Sequence, residues 1–120
     1  MKILTLIIKQ VYFDQILNGT KTEEFREIKP STETKYVDRT GIKPKPIFYD
    51  AIRFYVGYHT NRETALVAVQ QASINYFVTD ITYDLGKILE STQGDKGSGI
   101  SAPEKNKLRS VPRELSPFLG

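Results

Sequence analysis

The sequence contains no cysteine and no tryptophan, and it has a single histidine and a single methionine. The lack of cysteine excludes disulfide bonds, a thiolate nucleophile and cysteine-ligated zinc. One histidine, His59, cannot form a histidine metal cluster, and no serine has a histidine partner in a context that suits Ser-His-Asp chemistry. The glycines at 94, 97 and 99 lack the strand and helix that a phosphate-binding loop requires. We therefore predict no metal site and no cofactor.

Long hydrophobic runs are also missing. No stretch approaches the roughly 20 apolar residues that a membrane-spanning helix needs. The apolar start, MKILTLII, is shorter than a signal-peptide core and is followed by Lys9. These features predict a cytoplasmic protein without a membrane partner.

Charge of one sign is not in large excess either. Residues 1–90 carry 12 Lys and Arg against 11 Asp and Glu, and residues 91–120 carry 5 against 3. A domain that binds duplex DNA by bulk charge is much more basic than this. Any contact with nucleic acid therefore has to come from a local patch.

The 120 residues suffice for one domain with a hydrophobic core. Apolar periodicity and turn residues predict a mainly β arrangement with one early helix. The predicted elements are a strand at 2–8, a two-turn helix that ends at Gly19, a strand at 22–28, a long irregular connection at 31–48, a hairpin of strands 49–58 and 64–77, and a last strand at 81–90 with a bulge at Gly86. This order, without alternation of strands and helices, predicts a mixed α+β fold, mainly β, with a small barrel or bent sheet capped by a helix.

The chain changes character after residue 90. Gly, Ser, Pro and charged residues dominate 91–120, so we predict a domain at 1–90 and a flexible C-terminal tail at 91–120. The end of this tail, VPRELSPFLG, has enough apolar groups to dock on the domain or on another protein.

The stretch NGTKTEEFREIKP, residues 18–30, holds six charged side chains in thirteen positions. In a strand, Thr22, Glu24 and Arg26 share one face, and Phe25 lies on the other face with its neighbours at 23 and 27. Two interpretations follow. If the first face points inward, its polar groups need each other, water or a ligand; if it points outward, Glu24 and Arg26 form an exposed ion pair and Phe25 packs in the core.

The first thirty residues resemble the start of an ASCH domain, a family of PUA-like β-barrels related to RNA-binding PUA domains. The family has a strand, a short helix and then a G-x-K-T-x-E-x-R turn and strand. The matching positions are Gly19, Lys21, Thr22, Glu24 and Arg26. The later DAIRFYVGY and TALVAVQQASI resemble the central hairpin, and DLGKILE resembles the last strand, so that the resemblance covers residues 1–90.

The resemblance implies a PUA-like barrel with a short helix after the first strand and a polar cleft that holds RNA or a nucleotide-like small molecule. Lysine and arginine suit phosphates, a glutamate can accept from a base amino group, and aromatic rings stack on unpaired bases. Core packing is the favoured alternative for the aromatic residues, particularly for Phe48, although Tyr36 and Tyr49 also lie in or beside the 31–48 connection. The predicted ligand-binding residues are Lys21, Thr22, Glu24, Arg26, Lys43, Lys45 and Tyr49. The expected partner is single-stranded or structured RNA, or a nucleotide.

The resemblance also implies an alternative, a small amidohydrolase that acts on an acylated nucleoside such as acetylcytidine. That branch of the family uses a lysine, a threonine and a glutamate, and the lysine position matches Lys21. Its threonine position is occupied here by Glu24, and NYFVTDITYD is too short to supply its glutamate. In this alternative Lys21 and Glu24 are the catalytic pair, although a carboxylate neighbour favours the charged rather than the nucleophilic form of a lysine. A third possibility is a protein-interaction domain that binds a partner through its tail.

Overall fold

A sheet of five strands forms the framework of the described part of the protein. The computed structural model describes residues 1–58 and 60–92, so the predictions for His59 and for the segment 93–120 lie outside the described residues. The elements are β1 (Ile3–Ile8), α1 (Gln10–Asn18), β2 (Glu23–Glu27), α2 (Glu33–Tyr36), β3 (Val37–Asp38), β4 (Lys45–Pro46), β5 (Ala51–Val56), β6 (Thr64–Asn75) and β7 (Asp80–Thr92).

The sheet has the order β1-β5-β6-β7-β2 and is curled into a half-barrel. β1 and β5 run parallel, and the other neighbours are antiparallel. The predicted class, mixed α+β but mainly β with a barrel-like sheet and a short helix after the first strand, is confirmed. β1 and β2 are the two edges of the sheet, a feature that matters for the site described below.

Alternation along the strands places the core on the concave side of the sheet. In β1, the side chains of Leu4, Leu6 and Ile8 are buried, and those between them are more exposed. Helix α1 contributes Phe13 and Ile16, which lie on one face because residues three apart in a helix are neighbours. The helix therefore packs its apolar stripe against the same core as the strands.

The pairing register of β6 and β7 shifts at the predicted bulge. Val67 and Val69 of β6 are paired with Ile88 and Leu85 of β7, so β7 has one more residue between its partners than β6 has. The extra length falls at Gly86, where an added Cβ would lie 3.1 Å from the Gln70 Cγ. Such an inserted residue increases the local twist and helps the sheet to curl.

The 31–48 connection is more ordered than its composition predicts. It contains the single helical turn α2 and the two-residue ladder between β3 and β4. The turn at 29–32 is held by the Thr32 hydroxyl, which accepts from the Lys29 N–H at 3.0 Å. Among the described residues, no helix has both the length and the apolar character to cross a membrane. The cytoplasmic location stays a prediction.

Candidate functional site

The turn after α1 delivers Lys21 to the start of β2. Gly19 ends the helix in the left-handed conformation, with φ of 86°, which glycine adopts without steric strain. The N–H groups of Thr20 and Lys21 then both donate to the Gln15 carbonyl at 3.0 Å. These two hydrogen bonds to one carbonyl oxygen fix the backbone of Lys21, and so the point from which its side chain projects.

Glu24 lies on the concave, core-facing side of β2. Its exposed fraction is 5%, whereas Phe25, the next residue, is 56% exposed. Glu24 is directly opposite Tyr83 of β7, which is fully buried. Of the two interpretations of the charged stretch, the one with an exposed Glu24 and a core Phe25 is therefore wrong, because the register of β2 on β7 turns Glu24 inward.

Two cations neutralise this buried carboxylate. Lys21 Nζ lies 3.2 Å from Glu24 Oε1, and Arg26 donates through Nε to Glu24 Oε2 at 2.6 Å. The side chains of Lys21 and Arg26 are 18% and 25% exposed, against 7% for Glu24. The three residues thus form an ion triad with one net positive charge, and the two cations form its solvent-facing side.

Arg26 also joins the two edges of the sheet. Its Nη2 donates to the Ile7 carbonyl of β1 at 2.9 Å, while the residue itself lies on β2. β1 and β2 share no backbone ladder, since they occupy opposite ends of the strand order. A guanidinium can serve both partners because its donors form a rigid fork. The half-barrel is thereby bridged at this point by a side chain.

A tyrosine of α1 completes the exposed side of the triad. Lys21 Nζ lies 5.3 Å from the centroid of the Tyr12 ring, within the range of a cation–π interaction. The Tyr12 side chain is 45% exposed. Solvent therefore meets a partly exposed ammonium and a partly exposed aromatic ring side by side.

Two tyrosines lie on the buried side of the triad. The rings of Tyr36 and Tyr83 are 6.4 Å apart, and both residues are buried. Burial raises the pKa of Tyr36, and the charges of Arg26 and Glu24 act on it in opposite directions. Burial also raises the pKa of Tyr83 strongly. Among the described residues, the Tyr83 hydroxyl has no hydrogen-bond partner.

In the described part of the chain, the side chains of the other predicted site residues have no hydrogen bond or ion pair with the triad. Thr22, Lys43 and Lys45 are exposed, and Lys45 lies opposite Asp38 in the ladder between β3 and β4. Tyr49 is half-buried, and its hydroxyl donates to the Lys35 carbonyl at 2.7 Å. The structure thus brings together Lys21, Glu24 and Arg26, and it places the other four around the 31–48 connection and at the start of β2.

The prediction that Phe48 packs in the core is wrong, since its side chain is 70% exposed. Ile47 and Tyr49 on either side are half-buried, and in an extended segment the residue between them projects the opposite way. Tyr36 takes the interior position instead.

Sequence reasoning missed Tyr12 and Tyr83 as members of this site. Tyr12 lies at the helical spacing of the apolar residues of α1, a pattern typical of core packing, yet only Phe13 and Ile16 of this helix are buried. Tyr83 could be found only from the pairing of β2 with β7, which joins residues about 60 apart in sequence. No group of three or more His, Asp or Glu side chains among residues 1–58 and 60–92 could hold a metal ion.

Comparison of the chain with protein-family models, with curated proteins and with solved structures found no match. The resemblance to ASCH domains therefore stays a prediction, and the site has to be interpreted from its own geometry.

Proposed function

We propose that this protein is an RNA- or nucleotide-binding module of the ASCH and PUA-like type, and that the ion triad is its anion-binding centre. The observation that carries the proposal is the exposure of the cations around a buried carboxylate. Glu24 fixes Lys21 and Arg26 in place, and the net charge of the triad remains positive. Prepositioned cations bind a phosphate with less loss of side-chain entropy than free ones do.

Tyr12 supports a nucleotide rather than a simple inorganic anion. Its partly exposed ring lies beside the Lys21 ammonium, so one ligand can place a phosphate on the cation and a base near the ring. Aromatic stacking and phosphate contacts together are typical of single-stranded nucleic-acid sites. Lys43, Lys45 and Tyr49 belong to the proposal as a second set of contacts, for an RNA long enough to reach the 31–48 connection.

Binding of a fluorescently labelled single-stranded RNA, measured by anisotropy over a range of salt concentrations, tests the proposal. Lys21→Gln should weaken binding and reduce the slope of log K against log salt by about one, because one phosphate contact is lost. Lys21→Arg should retain most of the affinity. Lys87→Gln, a change of an exposed lysine on β7, is the matched control and should leave binding unchanged.

Mononucleotides in the same assay distinguish the ligand class. Competition by a nucleoside monophosphate at concentrations near the RNA affinity favours a nucleotide site, whereas competition by RNA alone favours an RNA site. Equal binding by wild type, Lys21→Gln and Lys87→Gln would contradict the proposed centre.

Hydrolysis of an acylated nucleoside is a second candidate, and the contact of Lys21 with Glu24 is the observation that favours it. At 3.2 Å, the ammonium and the carboxylate can exchange a proton. A lysine nucleophile must be neutral, however, and Lys21 is held in an ion pair with Glu24. Turnover of acetylcytidine that disappears in Lys21→Gln and in Glu24→Gln would support the hydrolase. We favour binding, because Glu24 is already satisfied by two cations.

A further inference from the structure

The convex side of β2 and β7 carries an acidic and aromatic surface, which we call the outer face and define by Glu23, Phe25 and Glu27 of β2 with Asp80, Thr82 and Asp84 of β7. Glu23 is directly opposite Asp84, and Glu27 is directly opposite Asp80. Like charges in directly opposite positions destabilise a sheet. Among the described residues, none of these four carboxylates has a Lys or Arg partner within salt-bridge distance.

A groove with aromatic and polar lining residues lies beside these carboxylates. It has a volume of about 550 Å³, and Phe25, Tyr76, Phe77 and Ile74 are among the residues that line it. The Phe77 side chain is fully exposed. The outer face therefore combines uncompensated negative charge with aromatic surface, and both features fit a partner that is cationic and carries an apolar group.

The turn between β6 and β7 holds Phe77 in solvent through defined contacts. Asn75 accepts from the Phe77 N–H at 3.0 Å through its side chain and from the Thr79 N–H at 2.9 Å through its carbonyl. Thr79 has a φ of 56°, a conformation that a β-branched residue rarely adopts. The exposed position of Phe77 thus belongs to a hydrogen-bonded turn.

A segment of this chain has the complementary chemistry. Residues 105–119 carry four cations, all within KNKLRSVPR (105–113), against one carboxylate, Glu114, and they end with Pro117, Phe118 and Leu119. In an extended segment Lys105, Lys107 and Arg109 share one side, and Lys105 and Arg109 are about 13 Å apart. The same rise per residue separates Asp84 from Asp80 by about 13 Å along β7. One cation can therefore lie over each of the two carboxylate pairs.

The connection is long enough for this placement. Asp84 lies eight steps before Thr92 along β7, a distance of about 26 Å at the rise of a strand. The thirteen steps from Thr92 to Lys105 can span about 43 Å when extended. From Arg109, a further nine steps reach Phe118 and span about 30 Å, which is enough to bring its ring to the groove at Phe77.

We propose that residues 105–119 of the same chain dock on the outer face, with Lys105 and Arg109 over the carboxylate pairs and Phe118 in the groove beside Phe77. The occupant is this segment rather than a nucleic acid, because four uncompensated carboxylates repel phosphates. The site is separate from the ion triad, since Phe25 and Glu24 project to opposite sides of β2.

Amide NMR spectra of the full chain test the docking. A Lys105→Gln, Lys107→Gln, Arg109→Gln variant should shift the resonances of 23–27 and 80–84 and leave those of α1 unchanged. Phe77→Ser should shift the resonances around Phe118 and should keep the fold, because the Phe77 side chain is fully exposed. Absence of shifts on the outer face, or shifts confined to another surface, would overturn the proposal.

The rate of trypsin cleavage after Lys107 is a second test of the docking, independent of the NMR spectra. Glu23→Gln with Glu27→Gln should increase this rate by about fivefold, because proteolysis tracks the population of the open form. Asp14→Asn, at an exposed carboxylate of α1, is the control and should not change it. An unchanged rate in the double variant would argue against docking. Protection that weakens on dilution would show that the segment of a second copy is bound, and it would overturn the docking within one chain.

Discussion

Removal of the Arg26 guanidinium is the sharpest test of the ion triad. In Arg26→Met, a flexible apolar side chain of similar length replaces the cation, so that packing is largely retained. Glu24, with a side chain only 7% exposed, then keeps Lys21 as its single cationic partner. The Ile7 carbonyl also loses its donor at 2.9 Å.

The expected loss follows from these contacts. Removal of one partner of a buried ion pair lowers the free energy of unfolding by about 3–5 kcal/mol. Two features reduce this value here, because Lys21 remains at 3.2 Å and Arg26 is itself partly exposed. The lost bond to Ile7 adds about 1 kcal/mol. We expect the free energy of unfolding to fall by about 3 kcal/mol in urea denaturation at neutral pH.

A second change separates the buried charge from the lost packing. Glu24→Gln combined with Arg26→Met removes the carboxylate as well, so the double variant should regain about 1 kcal/mol relative to Arg26→Met alone. Arg39→Met is the matched control: it breaks the exposed pair of Arg39 with Glu33 and should leave the urea midpoint unchanged. Equal stability of wild type and Arg26→Met would refute the triad, and a double variant weaker than the single one would refute the role of the buried charge.

Three further outcomes are expected. Tyr83→Phe removes a buried hydroxyl without a partner and should raise the free energy of unfolding by about 1 kcal/mol; a decrease in thermal stability would show that the hydroxyl is bonded in solution. Because burial raises the pKa of Tyr36 and Tyr83 above 10, the unfolded chain loses these protons first as the pH rises. Stability should therefore be unaffected by these groups below pH 10 and fall above it, by about 1.4 kcal/mol per pH unit for each of the two. Tyrosinate absorbance should show three late-ionising residues, because burial also raises the pKa of Tyr49. Gly19→Ala should cost about 1 kcal/mol in thermal unfolding, since its φ is 86° and the added methyl group meets only open space.

Local patterns predicted the elements, and pairing between distant strands decided the site. Gly19 as a helix end and Gly86 as a bulge follow from the conformations and contacts that these positions need, so sequence alone could place them. The two-residue alternation of side chains along a strand correctly placed Glu24 and Arg26 on the same face. It could not say which face was buried, because one face offers Phe25 and the other offers a carboxylate. Only the register of β2 on β7, with Glu24 opposite Tyr83, resolves that choice.

The 31–48 connection shows the same limit of prediction from sequence. Its composition indicates irregular chain, yet Tyr36 is buried against Tyr83 and Phe48 is exposed. Both are aromatic residues in polar surroundings, so hydrophobicity does not distinguish them. What distinguishes them is the position of each relative to the opening of the half-barrel, which depends on contacts far apart in sequence.

The triad has a structural role as well as a proposed binding role, and the two can be separated by residue. Arg26 bridges β1 and β2 through Ile7, so its removal disturbs the sheet whether or not a ligand binds. Within residues 1–58 and 60–92, the Lys21 side chain forms an ion pair with Glu24 and a cation–π contact with Tyr12, and neither contact joins the two edges of the sheet. A loss of RNA affinity in Arg26 variants is therefore ambiguous, whereas the same loss in Lys21→Gln, at unchanged stability, reports on the site itself. A triad kept only for structure would give Lys21→Gln a loss of RNA affinity no larger than its loss of stability explains.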